Sequence, residues 1–145
     1  MKLTRGTDYG ILGILYLAIQ PFEKLILLHE IAESQDIPES YLAKIFQDLS
    51  KGGLVRSRRG AKGGFTLARP ASEITLRQVI EALQGPISLN RCLDIRDECP
   101  RLESCSVAPV LREAQAQLLE TLGAATFDVL ARESLALQEA AEEAA

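Results

Sequence analysis

The apolar positions recur at helical spacing along most of the chain and alternate only in one short stretch. After Thr4, placed to cap a helix with Leu3 closing over its first turn, the run DYGILGILYLAIQ carries Leu12, Leu15, Tyr16 and Ile19 on one face. Pro21 ends that helix. A short apolar run, Leu25–Leu28, predicts a brief extended segment before a second helix over Leu28–Ser34. The turn SQDIP leads to a third helix, Glu39–Lys51, with Tyr41, Leu42, Ile45, Phe46 and Leu49 as its stripe. Gly52-Gly53 stops it, because glycine takes the left-handed conformation past a helix end without a Cβ penalty. LVRSR and FTLAR then read as two strands around the basic, glycine-rich turn RGAKGG. Thr75 and Gln78 spell a capping box, and Ile74 with Val79 a hydrophobic staple, for a helix ending near Gln84 before Gly85-Pro86. A polar stretch follows. Val107–Ala125 then predicts a long helix with Leu111, Ala114, Leu118, Leu122 and Ala125 on one face. Thr126 caps a short last helix, Phe127–Leu137, and the tail QEAAEEAA reads as acidic, helix-permissive and frayed.

These elements describe a mainly α protein with a small β-hairpin. Two short helices joined by a tight turn form a helix-turn-helix, and the hairpin directly after it makes a winged helix over residues 1–84. Residues 85–106 form a polar loop, 107–137 the two C-terminal helices, and 138–145 a flexible acidic tail. The long apolar stripe has little chain left to pack against. Dimerisation through Leu111, Ala114, Leu118 and Leu122 is the simplest use of it, and folding back on its own domain is the alternative.

Charge changes the picture once it is divided. The net charge is −4, but residues 1–84 carry 11 Lys/Arg against 9 Asp/Glu, whereas residues 85–145 carry 5 against 11. Lys51–Arg69 holds six basic residues and no acidic one. Arg58, Arg59 and Lys62 in a glycine-rich turn suit a phosphate backbone or a narrow minor groove. A merely solvated hairpin is the plainer reading. The apolar run Ile11–Ile19 is too short to span a bilayer, and no secretory leader is evident, so a cytoplasmic protein without membrane contact is expected.

All three cysteines lie in the polar loop, as Cys92, Cys99 and Cys105 with spacing C-x6-C-x5-C. In a reducing compartment, clustered thiols bind metal or do redox chemistry more often than they form structural disulfides. Three soft sulfur donors on a flexible loop suit an iron–sulfur cluster. Zinc usually takes C-x2-4-C pairs and a fourth Cys or His, neither of which occurs here. Free or redox-active thiols stay open. The lone His29, on the second helix, reads as structural. No C-x-x-C, no histidine near the thiols and no nucleotide loop speak for an enzyme.

The opening LTRGTDYGILGILYLA, the block IPESYLAKIFQDLSKGGLVRSRRGAKGGFTLARPASEITLRQVI and the three late cysteines together resemble the IscR/NsrR/RirA superfamily of bacterial winged-helix regulators, over about residues 1–130. The resemblance implies a homodimer on palindromic double-stranded DNA, with the third helix in the major groove. On it, Ser40, Tyr41 and Lys44 would reach bases and phosphates, Tyr41 having a competing packing role, and Arg59 of the wing would enter the minor groove. Ala43 stands where relatives carry glutamate. It further implies a cluster on Cys92, Cys99 and Cys105. Ala108 stands where the iron–sulfur assembly regulators place a histidine, and Asp8 matches an aspartate that other members supply from the partner subunit. Asp8 otherwise serves the helix dipole. Three cysteines with a weak oxygen ligand or an open position favour [4Fe–4S] over [2Fe–2S]. The expected function is a cluster-controlled DNA-binding repressor responding to iron, nitric oxide or redox status. A cluster-free regulator controlled by a partner protein or by thiol oxidation, as in some relatives, is the alternative.

Overall fold

The computed structural model of the chain describes residues 1–145 apart from Lys62 and residues 95–98. Its elements run α1 (Arg5–Ile19), α2 (Leu28–Gln35), α3 (Glu39–Lys51), β1 (Val55–Arg58), β2 (Gly64–Leu67), α4 (Leu76–Gln84), α5 (Ala108–Ala124) and α6 (Phe127–Ala144). Single 3₁₀ turns lie at Ala71–Glu73, Arg91–Leu93 and Leu102–Ser104. The mainly α architecture with one hairpin is the one that the hydrophobic periodicity predicts.

The core is built where α1, α3 and α4 meet, with Ile14, Leu42, Phe46, Leu49, Ile74 and Val79 fully buried. Thr4 caps α1 by accepting from the Thr7 amide at 3.1 Å. Two glycines that the sequence pattern leaves unremarked set how closely α1 packs. A Cβ on Gly13 would lie 2.6 Å from Phe46 Cε1, and one on Gly10 would overlap Leu83 Cδ1. The Gln84 side chain pins the chain start to α4, accepting from the Thr4 amide and donating to the Lys2 carbonyl, both at 3.2 Å.

The helix-turn-helix forms as the sequence predicts. Asp36 ends α2 in the left-handed region at φ 52°, which a short polar side chain tolerates. At the end of α3, Gly53 takes φ 74°, and the Leu54 amide donates back to the Leu49 carbonyl at 3.0 Å, a Schellman closure with both leucines buried. The hairpin pairs Val55 with Leu67 and Arg58 with Gly64. Its base is reinforced by Ile26, which exchanges amide–carbonyl bonds of 2.9 and 2.8 Å with Phe65. The predicted extended run before α2 thus becomes a third rung at the foot of the wing. The capping box of α4 is complete: the Gln78 amide donates to Thr75 Oγ1 at 3.2 Å, and the Thr75 amide to Gln78 Oε1 at 2.9 Å.

The C-terminal part differs from expectation in three ways. The last helix does not stop at Leu137 but continues to Ala144, because QEAAEEAA is alanine- and glutamate-rich and holds no Gly or Pro to break it. Thr126 does not cap it through the backbone; its hydroxyl donates instead to Asp128 Oδ1 at 2.5 Å. That bond is the main cause holding the Asp128 carboxyl below the usual carboxylate range. Finally, the start of α6 belongs to the first core, not to a separate C-terminal unit. Phe127 is fully buried, its amide donates to the Ile74 carbonyl at 3.0 Å, and the Leu76 amide donates to the Ala125 carbonyl at 2.9 Å. Residues 1–84 therefore do not close their own core; the apolar residue that completes it arrives 43 positions later.

Candidate nucleic-acid interface and cysteine segment

On α3, the side turned away from the core carries Ser40, Lys44, Gln47 and Lys51, all exposed and spaced i, i+4, i+7, i+11. At 100° per residue these four fall on one stripe, which holds no acidic side chain. Ser40 and Lys44 stand there as the sequence predicts. Tyr41 is exposed as well, at 40%, and its ring also meets Tyr9 of α1 edge-on with centroids 5.5 Å apart, the packing role weighed for it. Tyr41 thus braces α3 against α1 from the flank of the exposed stripe. Ala43 is half-buried. Gln47 and Lys51 went unnoticed in the sequence; continuing the spacing from Ser40 and Lys44 by one and two turns would have found them.

Between α3 and the wing lies an open groove of about 660 Å³. Gln47, Ser50 and Lys51 line one side, and Arg58, Arg59 and Gly60 the other. Arg58 and Arg59 are exposed, as expected for wing cations, and Lys62 lies outside the described residues. Close approach of the wing main chain depends on its glycines: Gly60 has φ 110° with open space where a Cβ would point. His29 enters this groove from α2. Its Nδ1 lies 3.4 Å from Glu39 Oε2 and its Nε2 3.4 Å from Glu33 Oε2, so it ties the start of α2 to the start of α3. These are solvated contacts of small energetic weight, and their effect is to orient the two helices.

The cysteine segment is attached to α5. Gln115 accepts from the Leu89 amide at 2.9 Å, which fixes the entry to the segment against the middle of the helix. Cys92 sits in the Arg91–Leu93 turn, with the Asn90 side-chain amide 3.6 Å from its sulfur. Cys105 directly follows the Leu102–Ser104 turn. All three thiols are unpaired and half-buried. Cys92 and Cys99 line one open cleft of about 570 Å³ with Glu103 and Arg112, whereas Cys105 lies outside it. Among the described residues no three His, Cys, Asp or Glu side chains are gathered closely enough to hold a metal ion. The donor set nevertheless suits a thiophilic group: three unpaired thiols on a segment whose described residues form single 3₁₀ turns and no α-helix. Asp8 is exposed in the first turn of α1, and Ala108 is buried at the start of α5. No helix among the described residues is long and apolar enough to cross a membrane.

Helix α5 buries only Ala108. One side leans on α4, while Val107 and Val110 are 55% and 67% exposed. Leu111, Leu118 and Leu122 are half-exposed and Ala114 is exposed, so the stripe predicted from sequence is only partly covered by the chain itself.

The family model "Rrf2: Iron-dependent Transcriptional regulator" matches residues 3–133. The chain belongs to the Rrf2 family. It is 37% identical over 133 residues to the protein aau3 of Rhizobium meliloti (strain 1021), covering 91% of this chain and 86% of that one. With the HTH-type transcriptional regulator NsrR of Shouchella clausii (strain KSM-K16) it shares 33% identity over 123 residues, 84% of this chain and 83% of the other. Among solved structures, it superposes on CymR, the global cysteine regulator of B. subtilis, with a TM-score of 0.72 and 27% identity, over 92% of this chain and 98% of that one. The fold is thus that of a winged-helix regulator, and this Rrf2-family chain is a transcriptional regulator rather than an enzyme.

Proposed function

We propose that the chain acts as a homodimeric, cytoplasmic repressor whose affinity for a palindromic operator is controlled by an iron–sulfur cluster on Cys92, Cys99 and Cys105. The observation that carries this reading is the placement of three unpaired thiols in one segment that Gln115 fastens to α5. Two copies joined through the uncovered stripe of Leu111, Ala114, Leu118 and Leu122 set two α3 helices about one turn of DNA apart. Ser40 and Lys44, with Gln47 beside them, face the major groove, and Arg58, Arg59 and Lys62 bring the wing to the backbone or minor groove. An iron–sulfur cluster, when bound, supplies chemistry sensitive to iron, nitric oxide and redox state. Asp8 of the partner subunit is the candidate fourth ligand, which favours a [4Fe–4S] centre. The chain's own residues do the coupling: a change in the path of residues 92–105 pulls on Leu89 and Gln115 and so on the α5 pair. Such control works only through different DNA affinities of the two arrangements.

Anaerobic reconstitution with iron and sulfide tests the reading. Visible absorption and stoichiometric iron and sulfide, both lost in Cys92→Ala, are expected; a colourless protein that retains operator binding overturns it. Asp8→Ala should alter the cluster spectrum, and an unchanged spectrum removes Asp8 as ligand. The similarity to CymR supports a second reading, control without a cluster through thiol oxidation or a partner protein, which metal analysis of the protein as isolated separates from the first.

A further inference from the structure

A second basic cleft lies at the foot of the wing, formed by Ser50, Gly53, Val55, Arg56, Ser57, Ala68 and Arg69. It contains two guanidinium groups and two hydroxyls, and no carboxylate. Arg69 is half-buried, and its Nε is shut off from solvent without a hydrogen-bond partner among the described residues. No ion pair to Arg69 is formed among them either, in contrast to Arg77 and Arg132, which each face a carboxylate four residues away along their own helix. Enclosing one N–H without an acceptor costs on the order of 1–3 kcal/mol for the unmade hydrogen bond. The rest of Arg69 lines the cleft beside Arg56 and the two serines, and guanidinium and hydroxyl groups together are matched donors for an anion with several acceptor oxygens.

We propose that this cleft is an oxyanion site that takes a backbone phosphodiester of bound DNA. Two observations favour DNA as the source. Ser50 and Ser57 line both this cleft and the groove between α3 and the wing, so the two adjoin, and a strand lying in the groove has the cleft beside it. The cleft is also open and shallow, with Arg56 exposed at its edge, as a polymer passing through requires. Arg56 and Arg69 then contribute affinity and register, and carry no sequence information, since phosphates are the same at every base pair.

The test is the salt dependence of binding to a duplex selected from a random-sequence library by the intact protein. Arg69→Gln and the exposed Arg56→Gln should each lower the slope of log affinity against log salt by about one unit. At moderate salt the affinity should drop by roughly tenfold with the base preferences of the selected duplex unchanged. Placing one neutral methylphosphonate at each backbone position in turn should find a position where substitution weakens the parent protein but not Arg69→Gln. Inorganic phosphate titrated at constant ionic strength, followed by the Arg69 side-chain NMR signal, provides the other arm. A saturable shift with unaltered DNA salt slopes means that the site serves a free anion, and overturns the assignment to DNA. Unaltered slopes and no saturation overturn the site altogether. If Arg69→Gln fails to fold, Arg56→Gln alone decides between these outcomes.

Discussion

Helices α5 and α6 are nearly equal in length and both rich in alanine and leucine, yet they are used in opposite ways. Helix α6 begins with Phe127, fully buried, and follows it with Ala131, 5% exposed, so its first turns are fixed to the core beside α1. Helix α5 buries one alanine and leaves a row of valines and leucines partly open. Composition does not separate the two. What separates them is one aromatic side chain at the right register and the backbone pairing that delivers it: Thr75 opposite Thr126, with Phe127 reaching Ile74. A helix with no such anchor keeps its apolar face for another surface.

The comparison can be broken most severely at Phe127. Its replacement by alanine should cost about 3–5 kcal/mol of stability, the range for truncating a buried aromatic, read by chemical denaturation. If the loss were below about 1 kcal/mol, α6 would not be anchored as described. Next comes Leu118→Glu on α5. We expect the fold to survive and self-association to weaken by at least about 2 kcal/mol, or roughly 30-fold, measured by sedimentation. An unfolded monomer would instead mean that the α5 stripe belongs to the chain's own core. A smaller effect is expected at the junction of the two regions. Thr75→Ala removes the acceptor for the Gln78 amide and should cost about 1 kcal/mol. The smallest is Thr126→Val, which removes the hydroxyl donor that depresses the Asp128 carboxyl. The Asp128 titration should move up toward the ordinary range by NMR. Because the folded value is depressed, the parent's contribution from this group is present at neutral pH and is lost as pH falls through the acid range. The variant should show less of that loss.

The winged helix was legible because its signals are local. Gly52-Gly53, the Thr75–Gln78 box and the alternation from Val55 to Leu67 each act within a few residues, and each forms as read. The extent of α6 is only partly legible, because acidic alanine-rich sequence suits both a frayed tail and the helix that forms. The packing of Phe127 into the core is not legible in the sequence, because a lone aromatic carries no record of a partner 53 residues earlier, here Ile74. At the site, Ser40 and Lys44 were found by position on the helix, whereas Tyr41 required knowing that Tyr9 stands beside it. Arg69 was visible only as one of six basic residues; that its Nε is enclosed and unmatched is a property of packing.

The pairing of Thr75 with Thr126 has a consequence for the order of events during synthesis. A ribosome releases the helix-turn-helix and the wing long before Phe127, so the nascent domain waits with a gap in its interior until that residue emerges. By then residues 76–125 have already left the tunnel. The thiol-bearing segment has therefore been synthesised before the winged-helix half can finish folding.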